Sequence, residues 1–528
     1  MNSAIFTRLN SLRAFDRLRL SLALLPPATK LLSTKTRRPP ARPTLSSTIY
    51  PLGHPSFDLS LELDRWILSG NAIRLVELQN LIRDLRSRRR HKQALEVVFL
   101  PVPSVLSEWM KDKWMKEKGG ISFMASDHAV HLDLIGEVLG LSAAKKYFES
   151  LKERDKNEKT FGALLNCYVR ERLIDESLSH LQKMKDMGMA SSSLPYNNIM
   201  CLYATTGQHE KVPLVLEEMK NNMVLPDNFS YRICINSFGT MSDIEGMEKV
   251  LDEMELQPQI VMDWNTYSVV ANNYIKSGLN LKAVSALKKA EQKLEKKNGL
   301  CYNHLISLYA VLGNKQEMWR LWELQKVNCK KIINRDYTTM LGALVKLGEL
   351  EEAEQMLKDW ESSCGTFDFR VPNVLLVAYR QRGLMEKAEE MIDDFLKKKK
   401  TPPSNSWGIV ATGYAEKGEL GKACEFMTNA LCVYSPSCGW LPNPNVTRSI
   451  LQYLGDEGEI KMVENFVGLL KNAVPVTRDV YHTLIKCYIR SGRGVDEVLE
   501  SMKAESIEPN EETQLIITSF KSQNFGSS

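Results

Sequence analysis

Ten cysteines, eight histidines and 64 carboxylates could serve metal or acid–base chemistry in this 528-residue chain, but their spacing does not gather them. Cys167, Cys201, Cys234, Cys301, Cys329, Cys364, Cys424, Cys432, Cys438 and Cys487 stand apart, with no CxxC pair and no histidine at metal-ligand spacing. Scattered thiols in a long chain suit a reducing compartment better than a disulfide framework. His128 and His131 beside Asp127 and Asp133 come nearest to a metal cluster. Neighbouring side chains on a helix spread around its axis, however, and do not converge on one ion. Missing too are a phosphate-binding glycine loop, a dinucleotide fingerprint, a defensible Ser-His or Cys-His constellation and the HxE…CxxC pattern of zinc deaminases. The expectation is a protein without catalytic residues, metal, cofactor or small-molecule substrate.

Charge is the next resource. RSRRRHK at 86–92 and KKKK at 397–400 could hold phosphate, although a solvated helix end and a solvated loop are the simpler readings. The first fifty residues are the most one-sided region. Nine bases (Arg8, Arg13, Arg17, Arg19, Lys30, Lys35, Arg37, Arg38 and Arg42) face one acid, Asp16, and twelve residues are Ser or Thr. Ile5, Phe6, Leu9, Leu12, Phe15 and Leu20 fall roughly along one helical face with arginines between them. Amphipathic, Arg- and Ser-rich and acid-poor is the signature of an organelle transit peptide, with a disordered basic tail as the alternative. The arginines favour the mitochondrial matrix over the plastid. Taking those nine bases and one acid from 69 and 64 leaves 60 and 63, a net charge of −3 where the whole chain has +5. The pI near 8.5 therefore says nothing about nucleic-acid binding by the remainder. Any attraction for phosphate must come from local arrangement.

Composition bounds the fold. The chain is too long for one compact core, and its 43 % hydrophobic and 25 % charged residues are ordinary for a soluble protein. No apolar run reaches the roughly 20 residues a membrane span needs, so no insertion is expected. An aromatic column then emerges at Tyr168, Tyr203, Phe238, Tyr274, Tyr309, Tyr379, Tyr414 and Tyr488, mostly 35 residues or a multiple apart. Four residues after most of these stands a glycine: Gly207, Gly278, Gly313, Gly383, Gly418 and Gly492, with Gly348 and Gly458 extending the column. Within one unit, Tyr302, Leu305, Ile306 and Tyr309 mark an amphipathic first helix. Gly313 ends it in a left-handed turn, and Met318, Leu321 and Trp322 open the stripe of a second. One such hairpin cannot bury both faces, whereas stacked neighbours can. The spacing predicts an all-helical solenoid of about 11–12 hairpin repeats.

Phrases such as TYSVVANNYIKSGLNLKAVSALKKA, and NFSYRICIN after VLPD, resemble the pentatricopeptide repeat. The 35-residue period, the Tyr-Asn near the repeat start and Pro226-Asp227 at a repeat end separate it from the 34-residue tetratricopeptide repeat. The likeness is greatest to the plain P-class of plant organelles. Repeats are placed to begin at 126, 158, 193, 228, 264, 299, 334, 369, 404, 444 and 478, after a degenerate one at about 75–118. The expected organisation is a transit peptide over 1–50, a cap or linker over 51–74, the array over 75–510 and a capping helix and tail over 511–528. In the degenerate repeat, Val98–Leu106 interrupts what should be one helix with Pro101 and Pro103. It reads as a surface insertion or gene-model artefact rather than a binding loop.

The resemblance implies a right-handed αα-solenoid superhelix whose first helices line a groove for single-stranded RNA, one base per repeat. Bases are read by a repeat's fifth residue together with its last. Carried over, Asn197/Asp227 resembles a uracil pair, Ser268/Asn298 an adenine pair and Thr338/Asp368 a guanine pair. Asn303/Ile333 and Asn373/Pro403 are weaker pyrimidine pairs, and Arg232/Asp263, Gly408/Asn443 and His482/Asn510 match no pattern. Bases implied phosphate contacts lie two before the glycine position: Arg170, Lys276, Lys346 and Arg490. Leu194, Phe229 and Leu300 at second positions would sandwich bases, where Arg335, Arg370, Asn405, Asn445 and Asp479 depart from the pattern. The implied partner is single-stranded organellar RNA, met by an adaptor in mitochondrial RNA processing, stability or translation. The alternative is a structural scaffold subunit of a mitochondrial ribonucleoprotein such as the mitoribosome.

Overall fold

A computed structural model describes residues 45–49, 75–98 and 124–524, with Leu59, Glu62, Arg65, Trp66 and Ser69 between the first two segments. Most of the expected transit peptide and most of the Val98–Leu106 insertion lie outside the described residues. Among the described residues there are 26 α-helices and no strand. They form a short first helix, Leu45–Ile49, then twelve consecutive hairpins and a last single helix, Glu511–Asn524.

First helices run Leu75–Ser87, Ala125–Val138, Glu158–Arg170, Ser193–Thr205, Asn228–Thr240, Trp264–Lys276, Gly299–Val311, Asn334–Leu347, Asn373–Gln381, Ser404–Lys417, Pro444–Glu457 and Arg478–Arg490. Most pack on the next first helix and on their own second helix, so the hairpins stack as two helical layers. Only the repeat placed at 369 starts late. Its first turn holds Pro372, and the Asn373 N–H donates to the Phe369 carbonyl at 3.0 Å.

The two columns of the sequence are one piece of backbone geometry. In most repeats the residue after the glycine donates its N–H to the carbonyl of the column aromatic: Gln208 to Tyr203 at 2.9 Å, Leu279 to Tyr274 at 2.8 Å, Asn314 to Tyr309 at 2.9 Å. That is the six-to-one bond of a Schellman ending, and it needs a left-handed residue between donor and helix. Gly207 and Gly278 supply it at φ 81° and 74°, while Arg172 and Ser242 adopt the same conformation at 57° and 61°. Gly458 does not belong to the column. Its φ is −67°, and its N–H bonds directly to Leu454 O at 3.0 Å. Glycine is required there for close approach, since a Cβ would come within 2.6 Å of Leu454 O and 2.9 Å of Val463 Cγ2.

The column tyrosines also tie neighbouring repeats together. Tyr274 Oη donates to Glu248 of the preceding second helix at 2.7 Å, and Lys282 bridges to the same carboxylate at 2.7 Å while lying over the ring. Tyr379, Glu354 and Lys387 repeat the arrangement at 2.9 Å for both bonds, and Tyr414, Glu389 and Lys422 do so again. Glu248, Glu354 and Glu389 are held below the usual carboxylate range; at Glu354 burial opposes its lysine and tyrosine partners and is outweighed.

A continuous core runs from Phe161 to Cys487, with Trp322 and Trp360 fully enclosed. A separate N-terminal core joins the first hairpins, and Leu45 and Ile49 are buried in it at 2 % and 0 % exposure. Both residues lie inside the stretch assigned to the transit peptide. At the other end, Ile516 of the last helix packs with Tyr481 and Met502.

Candidate functional site

In most repeats the last residue has a structural duty: it stands at the N-cap of the next first helix. The exception is Asp368, since Pro372 is the N-cap of Asn373–Gln381. Asp227 accepts from the Phe229 and Ser230 N–H groups at 2.9 and 2.8 Å. Asp263 accepts from the Thr266 N–H at 2.8 Å, and Asn298 from the Leu300 N–H at 3.1 Å. Short side chains with an oxygen are what a cap demands. This places the last residue beside the first turn of its own repeat's first helix, where the fifth residue lies.

Asn197 and Asp227 meet. The Asn197 amide donates to both Asp227 oxygens at 3.2 and 3.3 Å, while its carbonyl accepts from Ser230 Oγ at 2.7 Å. Ser193 adds a bond to Asp227 at 2.7 Å. Burial pushes the Asp227 pKa up, but the Ser230 N–H and the Ser193, Ser230 and Asn197 side chains outweigh it and hold it below normal. The other pairs behave differently. Ser268 donates to Trp264 O at 2.8 Å and Thr338 to Asn334 O at 2.8 Å, each within its own helix rather than to Asn298 or Asp368. Asp368 is held instead by Arg370 at 2.6 Å and Asn334 at 3.1 Å, with its pKa lowered to about 2, chiefly by the Arg370 hydrogen bonds.

Asn303 finds its partner elsewhere, donating to Asp336 Oδ1 at 2.6 Å rather than meeting Ile333. Asn373 accepts from Ser406 Oγ at 2.7 Å. His482 bonds Thr513 Oγ1 at 2.9 Å in the same register. The sequence attached no role to Asp336, Ser406 or Thr513, the third residues of the following helices; only their place after a repeat junction could have signalled it. Arg232, unreadable from sequence, is 5 % exposed and pairs with Asp263 at 3.0 Å. At Gly408 the indole of Trp440 covers the backbone so closely that a Cβ would lie 2.8 Å from Cζ2. The fifth residues Asn197, Ser268, Asn303 and Asn373 are all buried in the free chain.

The four basic positions separate into two kinds. Lys276 and Lys346 are exposed, and neither has an ion-pair partner among the described residues. Arg170 is bound to Asp133 at 2.9 Å and Glu137 at 2.7 Å. Arg490 donates to the Gly455 carbonyl at 3.0 Å and also to that of Gly458. Of the second-position residues, Leu194 is 57 % exposed, whereas Phe229 and Leu300 are half-buried. His128 and His131 both bond the Tyr147 hydroxyl, at 2.8 and 3.3 Å, and Asp133 is spent on Arg86, Asn166 and Arg170. No group of three or more His, Cys, Asp or Glu among the described residues is placed to hold a metal ion. None of the described helices is long and apolar enough to cross a membrane.

Comparison with known proteins follows the same register. A family model described as "PPR repeat family" matches residues 191–240, and one described as "PPR repeat" matches 159–189, 229–257, 336–364 and 371–399. The chain is 49 % identical over 476 residues to a mitochondrial pentatricopeptide repeat-containing protein of Arabidopsis thaliana, covering 90 % of this chain and 94 % of that one. It is 32 % identical over 443 residues to the Arabidopsis thaliana large ribosomal subunit protein mL101, covering 84 % and 87 %. Among solved structures, maize PPR10 aligns at 15 % identity over 91 % of this chain and 84 % of that one, with a TM-score of 0.35.

Proposed function

From the premise that this chain belongs to the pentatricopeptide repeat family and, like its relatives, is mitochondrial, we propose that it is a sequence-selective single-stranded RNA-binding adaptor. It serves RNA processing, stability or translation and carries out no reaction of its own. The observation that carries this reading is the Asn197–Asp227 pair. A fifth and a last residue stand edge to edge, and together they offer amide and carboxylate groups of the kind that match base edges. In the middle of the array Ser268/Asn298 and Thr338/Asp368 stand at equivalent positions, and Lys276 and Lys346 are free to meet phosphates. Leu194, Phe229 and Leu300 would flank bases.

A second reading, a scaffold subunit of the mitochondrial ribosome, draws on the similarity to a large ribosomal subunit protein. It also draws on the end repeats, where Arg170 and Arg490 are already consumed. Binding of the purified chain to a randomised single-stranded RNA library at moderate salt tests the first reading. Absence of binding, together with sedimentation of the native protein on ribosomal particles, would replace it with the second.

The leader, in this reading, ends before Leu45, because removal through residue 50 would strip Leu45 and Ile49 from the N-terminal core. Sequencing the mature N-terminus checks this.

A further inference from the structure

Asn197 and Asn303 hold the same place in their repeats but differ in which half of the amide is occupied. At Asn197 both halves are satisfied, nitrogen by Asp227 and oxygen by the Ser230 hydroxyl. The repeat beginning at 299 lacks both devices. Its last residue, Ile333, has no polar side chain, and its first, Gly299, has none at all where Ser193 and Asn334 reach a carboxylate in their own repeats. Asp336 fills the gap. It is 3 % exposed, takes the Asn303 amide on one oxygen at 2.6 Å and caps the Ile333 N–H with the other at 2.9 Å.

A carboxylate only accepts, so the amide nitrogen must face Asp336 and the orientation of Asn303 is fixed. The amide oxygen is then left buried with no hydrogen-bond partner. An unmet acceptor in a buried place is costly and is satisfied by whatever donor can reach it. Asn373 is the internal contrast. Its partner is the Ser406 hydroxyl, which can donate or accept, so that amide is free to turn over.

We propose that Asp336, the third residue of the following repeat, acts in place of Ile333 as the positioning residue for Asn303 and makes it a fixed acceptor selecting uracil over cytosine. The inference rests on the RNA-reading function above. Uracil presents a ring N3–H to the amide oxygen, whereas cytosine presents an unprotonated N3, and lone pair meets lone pair.

The test is enrichment of a randomised single-stranded RNA library on the purified full chain. At the nucleotide read by the repeat beginning at 299, the wild type should enrich uracil over cytosine about tenfold. At the nucleotide two places along, read by Asn373, the two pyrimidines should be near parity. Asp336→Ser keeps a capping hydroxyl, as Ser230 does, and should bring the uracil-to-cytosine ratio near one at the first nucleotide alone, with melting temperature and other positions unchanged. Asn303→Ala should abolish the preference there. An unchanged ratio in Asp336→Ser, even with weaker overall binding or a lower melting temperature, would assign Asp336 a purely structural role and overturn the proposal. Equal uracil and cytosine in the wild type would do the same while leaving RNA reading intact. Retention of no RNA at all would overturn the function itself.

Discussion

Lys276 and Lys346 in the middle of the array and Arg170 and Arg490 near its ends occupy the same place in their repeats, yet they meet opposite fates. The lysines have no ion-pair partner among the described residues, and partial burial of the Lys276 ammonium lowers its pKa. Arg170 is neutralised by Asp133 and Glu137 of the preceding first helix, and Arg490 fills the carbonyl-rich end of Pro444–Glu457 at Gly455 and Gly458. Whether the base stays unpaired or becomes an internal strut is decided by the residues one repeat earlier. A register position is thus a permission, and the neighbouring repeat grants or withdraws it.

The largest effect should come from an exception to this division. Arg232 lies in the middle of the array yet is buried against Asp263, with its pKa lowered by burial. Asp263→Ala should cost about 3 kcal/mol or more by stranding that charge, and replacing both residues should cost less than Asp263→Ala alone. Denaturant melts of the four proteins of the cycle measure the difference.

Acid should weaken the N-terminal hairpins. His131 is 4 % exposed, and its pKa is lowered to about 4 by burial first and by His128 second, against the opposing pull of Asp127. The unfolded chain takes up that proton near the ordinary value of 6.5. The stability contributed is therefore complete above pH 6.5, lost as pH falls toward 4, and amounts to about 3 kcal/mol. His180 is shifted in the same direction by burial. Hydrogen exchange should show residues 125–186 losing protection at pH 5 relative to pH 7, and His131→Gln should remove most of the difference.

The basic pairs give a smaller, two-sided contrast. Lys276→Ala with Lys346→Ala should weaken binding of all single-stranded RNA sequences alike, flattening the salt dependence by about 0.7 per lost phosphate contact. Arg170→Ala with Arg490→Ala should leave that slope unchanged and lower the melting temperature instead. Equal salt slopes for the two double mutants would erase the distinction between middle and ends. Finest of all is Thr338→Asn, which recreates the Asn197/Asp227 pairing. It should move one nucleotide preference from guanine toward uracil by about 1 kcal/mol, read by competition binding.

Much of the architecture was legible because helix endings leave period-specific residues. The four-residue step from Tyr203 to Gly207 is the Schellman bond written in sequence. Gly458 imitates that step for another reason, since a glycine needed for close approach is indistinguishable in a string from one needed for φ. The site was harder to read. Asp and Asn at repeat ends are demanded by helix capping, so their presence at Asp227, Asp263 and Asn298 carries no separate message about bases. Pairing partners such as Asp133 for Arg170 or Asp336 for Asn303 lie 33 to 37 residues away, and only the stacked geometry identifies them. Leu45 and Ile49 were hidden by the composition around them, which is that of a leader even where two side chains serve the core.

The tyrosine–glutamate–lysine ties give the solenoid an uneven elasticity. The joints made by Tyr274, Tyr379 and Tyr414 are pinned by a hydroxyl, a carboxylate and an ammonium acting on one point. Where the column residue is Leu454 the hydroxyl pin is gone; at Leu344 it is replaced by Lys315, which bridges Glu349 and Glu352, and by the Trp319 indole N–H, which donates to Glu352. Such a chain flexes like a jointed ruler, rigid over some divisions and yielding at others. Because the pins are partly ionic, raising salt loosens the rigid divisions. The spacing between successive hairpins is therefore itself a salt-dependent quantity.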